Sequence, residues 1–244
     1  MEAGLSTRLA AEPGADGRSI ADRLATACRI LAMDGHAHGL AGQVTIRRDD
    51  GRVATTPIGP GFDEIGPDDI LEVDDDLNVL SGRGIPNPAV RFHLWVYRAR
   101  PDVKAIVHTH PAATSSLSMI GRPLVVSHMD AAMLWDDVAY LPEWPGVPIA
   151  DEEGRIISRA IGDKANILLA HHGLLTTGED IETALYRAVH FERAARLQLD
   201  AEAAGRIRPV DPDDAAEARR FLLKPEIVQA TVALWARRAA RAYP

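Results

Sequence analysis

Two histidines one residue apart, His108 and His110, close an apolar run in the stretch AIVHTHPAATSS (residues 105–116) and are followed at once by a proline. Side chains two apart on a strand share a face, so this pair projects in parallel. Two such imidazoles can chelate one ion through nitrogen at about 2.0–2.1 Å. The pair also reads as a catalytic base with a neighbour, or as two polar residues bonded to backbone carbonyls at a strand end. A second apolar run, NILLAHHGLL, ends in His171 and His172 before Gly173. Neighbours on a strand point to opposite faces, so one of these two is expected to join His108 and His110, the glycine letting the chain turn sharply afterwards. Three neutral imidazoles around an ion leave a coordination position open, as in catalytic metal sites.

Several elements must position these residues. RSIADRLATACRILAMDG has apolar residues at helical spacing (Ile20, Leu24, Cys28, Leu31), with Ser19 as cap and Gly35 as stop. QVTIRRDDGRVATTPI reads as a hairpin about Asp50-Gly51, and DILEVDDDLNVLSG as two further short strands. PAVRFHLWVYRARPD is helical until Pro101, VKAIVHTH is a buried strand, and PAATSSLSMIG restarts a helix. RPLVVSH, GVPIA and NILLAHHGLLTTG supply strand candidates, whereas MLWDDVAYLPEW reads as loop whose Trp135, Tyr140 and Trp144 either wall an aromatic pocket or pack in a core or interface. DEEGRIISRAIGD, the long EDIETALYRAVHFERAARLQLDAEAAG and PEIVQATVALWARRAARAY are helical, and DPDDAAEARR is a charge run opening a helix. Helices and short strands alternate irregularly, which predicts one three-layer α/β/α domain with a mixed or mainly antiparallel sheet over residues 18–244, behind a loose tail at 1–17. No glycine-rich phosphate loop follows an early strand, so a doubly wound fold is not expected.

Bulk composition narrows the function classes. A formal charge of -8 with no offsetting basic cluster argues against a nucleic-acid or anionic-membrane surface. No apolar run approaches the ~18–20 residues that span a bilayer, and the N-terminus lacks an apolar core of signal-peptide length. The single cysteine, Cys28, excludes an internal disulfide and points to a reducing compartment. A cytoplasmic protein is expected. His-x-His with a later histidine also occurs in cupins and amidohydrolases. This helix-rich chain is not an all-β cupin, and 244 residues is short for a metal-bearing (β/α)8 barrel of about 250 or more.

From about residue 20 to 205 the chain resembles the class II aldolase/adducin family, most specifically in HLWVYRARPDVKAIVHTHPAATSSLSMIGRPL and ANILLAHHGLLTTGEDIETALYRAVHFERAARLQL. The resemblance implies a three-layer fold around a mainly antiparallel sheet and one divalent ion per subunit, Zn2+ or Mn2+, held by His108, His110 and His172. It also implies a homotetramer with active sites at subunit interfaces. Two departures matter. Sugar-phosphate members carry a Ser-Ser-Glu whose glutamate is their acid/base; here Ala89 stands at that position, within IPNPAVRFH. Their phosphate-gripping Gly-Thr-Ser-Gly-Asn reads GLAGQ, residues 39–43.

A branch of the family that lacks the glutamate decarboxylates aromatic acids bearing a hydroxyl beside the carboxylate, dihydroxyphthalate decarboxylases among them, and this chain resembles that branch. Loss of CO2 places charge on a ring carbon that an adjacent oxygen can share, and a divalent ion stabilises such charge. Candidate residues for the proton are His128 and His171, with His36 and His38 on the DGHAHGLAG loop as further contributors, since imidazoles titrate near neutrality. Arg91 and Arg83 are candidates to bind a carboxylate, with His171 beside the metal ligands. His93 and His190 read as structural, and Glu192 as buried or paired, or as supporting the site from behind the ligands. Two other readings stand beside this one: an aldolase, epimerase or dehydratase for a non-phosphorylated hydroxy-carbonyl compound, and a non-catalytic adducin-like module.

Overall fold

The first helix, α1 (Ile20–Met33), starts where Ser19 accepts the Asp22 N–H and the Asp22 carboxylate accepts the Ser19 N–H, a reciprocal cap. It stops at Gly35, whose φ of +77° suits glycine. The computed structural model of the protein describes residues 17–147 and 151–244. Of the expected tail, 1–16 lie outside the described residues.

Strands β1 (Gln43–Arg47) and β2 (Val53–Thr55) form the hairpin expected about Asp50-Gly51, and β3 (Leu71–Val73) pairs with β4 (Val79–Ser81). There follow α2 (Val90–Ala99), β5 (Ala105–Thr109), α3 (Ala112–Met119), β6 (Val138–Leu141), α4 (Asp151–Ile161), β7 (Asn166–Leu169) and β8 (Gly173–Gly178). Three helices close the chain: α5 (Ile181–Ala204), α6 (Pro212–Leu222) and α7 (Pro225–Ala242). The strands make one sheet in the order β4-β3-β2-β1-β5-β8-β7-β6, antiparallel except for the β6–β7 pair. No helix among the described residues is long and apolar enough to cross a membrane.

Strand alternation divides the core into two layers. Ala105, Val107, Leu168 and Leu174 face a cluster with Leu24, Leu117 and Phe191 from α1, α3 and α5. Ile106, Ile167, Leu169 and Leu175 face the other way, onto Phe92 and Val96 of α2 and Ile157 of α4. His108, one residue on from Val107, therefore belongs to the α2 side of the sheet.

Three expectations need correction. RPLVVSH joins no ladder: the segment crosses the α5 face, where the Val125 N–H meets Gln198 Oε1 at 2.8 Å and Val126 O accepts the Val210 N–H. Its backbone groups are satisfied off the sheet, and Val126 is buried in the α5-side core. MLWDDVAYLPEW is not all loop, since it starts in the last two residues of a 3-10 turn (Met129–Leu134) and contains the edge strand β6, whose four half-buried residues give no alternation to read. NILLAHHGLLTTG is two strands, with His171 and His172 in the turn between them. Of GVPIA, Gly146 and Val147 lie outside any strand, and the rest falls outside the described residues.

Candidate metal centre

His108 is fixed from both sides of the sheet. It sits opposite Gln43 of β1 and Leu175 of β8, and its Nδ1–H donates to Leu174 O at 2.7 Å. That bond fixes the tautomer and leaves Nε2 as a free lone pair. His110 lies one residue beyond β5, and its Nε2 is 2.9 Å from His108 Nε2. His172 arrives from the β7–β8 turn, where His171 takes φ +57° and the His172 N–H bonds Leu169 O. The turn, rather than strand alternation, thus decides which histidine of the pair joins the cluster. The three rings meet edge to face with centroids 4.5–4.8 Å apart.

One nitrogen from each ring falls within 4.8 Å of the others, a group that can hold a divalent ion. The donor set fits: burial, then the neighbouring His110 and His172, keep His108 well below its ordinary pKa. Burial also lowers His110, and it takes His172 to about 4, helped by His110. Neutral imidazole is the ligating form. His172 Nδ1 is buried with no hydrogen-bond partner among the described residues. The segment after His110 is secured by Glu192, whose carboxylate accepts the Ala113 and Thr114 N–H groups and the Thr114 hydroxyl at 2.7–2.8 Å. It caps α3, which sequence spacing alone did not reveal, because the partner lies 78 residues away.

The histidines floor a cavity of about 450 Å³ together with Gln43, Asn87 and Ala89. Its outer wall is Leu40, Ala41, Ile58, Trp144, Val147 and His171, so one of the tryptophans does wall the pocket. Ala89 and the GLAGQ segment, the two departures from the sugar-phosphate pattern, both border it. Asn87 was not singled out from sequence; its Oδ1 accepts the Ala89 N–H at the start of α2, a signal that Asn between two prolines could have given.

Other candidates lie elsewhere. His36 is buried against the opposite sheet face, its Nδ1 bonded to Thr109 Oγ1 at 2.8 Å, and His38 is exposed on the loop beyond it. The half-exposed His128 accepts the Asp130 N–H and starts the 3-10 turn. Arg91 is half-buried on α2 and Arg83 is exposed after β4; neither lines the cavity, nor do His36, His38 and His128. His93 is fully buried on Thr45 Oγ1, and burial takes its pKa down to about 3.

These values set an acid limit for the metal-free protein. His93 and His172 stay neutral in the fold below pH 6.5, where the unfolded chain takes up protons, so stability is complete above that pH and falls as pH drops through it. At pH 5 each histidine costs on the order of 2 kcal/mol. Urea midpoints in a chelator at pH 7.5 and 5.0 should show the drop, and equal stabilities would refute it.

The sequence profile of the Class II Aldolase and Adducin N-terminal domain family matches residues 22–199. A Streptomyces roseochromogenus protein named 4-hydroxy-3-prenylphenylpyruvate oxygenase/4-hydroxy-3-prenylbenzoate synthase is 32% identical over 79% of this chain and 72% of its own. Decarboxylase NovR of Streptomyces niveus is 32% identical over 82% and 76%. Among solved structures, an L-fuculose 1-phosphate aldolase from Glaciozyma antarctica superposes with a TM-score of 0.85 at 28% identity, covering 98% of this chain and 97% of that one.

Proposed function

The chain belongs to the class II aldolase and adducin family, and from that premise we propose that it is a divalent-metal-dependent decarboxylase of an aromatic acid with a hydroxyl beside the carboxylate. The names of its relatives support a lyase of the class II aldolase type. The observation that carries the finer reading is the cavity itself: a three-imidazole floor among apolar walls, with Ala89 and no carboxylate among its described lining residues. An aldol cleavage of the usual kind needs an acid/base at that point, and alanine transfers no proton.

His108, His110 and His172 would hold the ion, and three imidazoles suit zinc better than manganese. Bound there, the ion supplies Lewis-acid stabilisation of the negative charge that builds on the substrate. With its mouth covered, the apolar wall would exclude water from the carboxylate and favour its loss as neutral CO2. The ring carbon keeps the bonding electron pair and takes a proton. His171, at the rim, is the described lining residue outside the ligand set that can pass one. The exposed apolar residues Leu40, Ile85, Trp144 and Val147 support a homo-oligomer that covers the mouth.

CO2 release from hydroxy-substituted aromatic carboxylates, with added Zn2+ or Mn2+ and a chelator control, tests the proposal. Metal-dependent release is expected. A folded, zinc-loaded protein that releases none would favour carbon–carbon cleavage of an unphosphorylated hydroxy-carbonyl compound, the reading that the structural likeness to a fuculose-phosphate aldolase keeps in play. A further expectation separates the two. Ala89→Glu adds a carboxylate to a cavity with no Lys or Arg among its described lining residues, so it should raise KM for an anionic acid about tenfold or more while zinc content stays full. An unchanged KM would place the reacting carboxylate elsewhere.

A further inference from the structure

Gln43 is the first residue of β1 and lies directly opposite His108, so its side chain shares that sheet face with the imidazole. It is 4% exposed and lines the cavity, yet its amide oxygen is buried with no hydrogen-bond partner among the described residues. The cavity's other amide is committed: Asn87 accepts the Ala89 N–H and donates to Leu40 O. A buried carboxamide without a partner costs stability, about 1–3 kcal/mol, and native folds keep few of them. One that borders a cavity can take its partner from what enters there.

We propose that the Gln43 carboxamide is the specificity contact of this cavity, and that the cavity takes a hydroxy-aromatic acid carrying a single carboxylate rather than a dicarboxylate. The inference rests on the decarboxylase reading and narrows its substrate class. An amide presents an acceptor and a donor side by side, and a hydroxyl next to a carboxylate presents the complementary pair. Apart from the ion, the described lining neutralises no second negative charge: no Lys or Arg is among the described lining residues, and Arg83 and Arg91 lie outside the cavity. A second carboxylate would meet Leu40, Ile58 or Val147, whose apolar side chains offer it no hydrogen bond. A ring with apolar substituents meets walls that match it.

The test is equilibrium binding of 2-hydroxybenzoate, benzoate and phthalate to the zinc-loaded protein and to Gln43→Leu, with melting temperature and zinc content recorded for both. The wild type should bind 2-hydroxybenzoate at least tenfold more tightly than phthalate. Gln43→Leu should keep its zinc, melt no lower than wild type because an orphaned amide is gone, and bind 2-hydroxybenzoate about tenfold more weakly, with benzoate less affected. Unchanged affinity in Gln43→Leu, or a lower melting temperature that marks the amide as structural, overturns the contact; phthalate binding as tight as 2-hydroxybenzoate overturns the single-carboxylate class. Tight binding without CO2 release from any hydroxy-acid removes the decarboxylase reading and leaves the contact standing, whereas CO2 release with unchanged affinity in Gln43→Leu does the reverse.

Discussion

His108→Ala is expected to abolish metal-dependent turnover, with CO2 release falling at least about 10³-fold and zinc lost on dialysis, while the far-ultraviolet spectrum stays native. Removing one of three neutral nitrogens takes away the chelate as well as a bond, and a bound ion supplies several kcal/mol of charge stabilisation, enough for that factor. His108 is the most constrained of the three: fully buried, tied by Nδ1 to Leu174 O, and packed edge-on against Phe92 at 4.8 Å. Its loss also opens a void beside Phe92, so stability should fall by about 2–3 kcal/mol. His172→Ala, in a turn and only partly buried, is the cleaner companion, with the same loss of zinc at less cost to the fold. Retained zinc and activity in both variants would end the three-imidazole assignment.

Gly173→Ala should damage the site nearly as much without touching a ligand. A Cβ there would run into Thr109 O and stand 2.7 Å from His110 Cδ2. Thr109 O belongs to the end of β5, and His110 follows it directly, so relief requires moving the strand end that carries a ligand. Zinc affinity is expected to fall about 100-fold, and stability by about 1–3 kcal/mol from overpacking. Gly162→Ala is the control. Its φ of +55° is strained for alanine, but nothing lies within 4 Å of its Cβ, so about 1–2 kcal/mol of stability should go while zinc stays bound. Equal zinc retention in the two variants would show that the close approach at Gly173 does not hold His110 in place.

The sequence by itself determined most of the elements and supplied the histidines from which the cluster is drawn. Period-2 runs, helical spacing, the Ser19 cap and the Asp50-Gly51 turn are local signals, because each is written within one turn or one hairpin of chain. His108 and His110 were legible for the same reason, since two residues apart on a strand means one face. The antiparallel sheet and the three layers followed from the irregular alternation and the resemblance. The tertiary structure decided the rest. His172 rather than His171 joins the cluster because a three-residue turn with a left-handed His171 sets the direction of the rings, and strand parity does not apply there. His36 looked available for proton transfer, but burial behind Thr109 puts it across the sheet from the cavity. Arg91 and Arg83 neighbour Ala89 in the chain without lining its cavity. Gln43 read as a lost asparagine until β1 paired with β5 and set its unpartnered amide beside His108. Contacts between residues dozens of positions apart depend on register and packing, which no local pattern encodes.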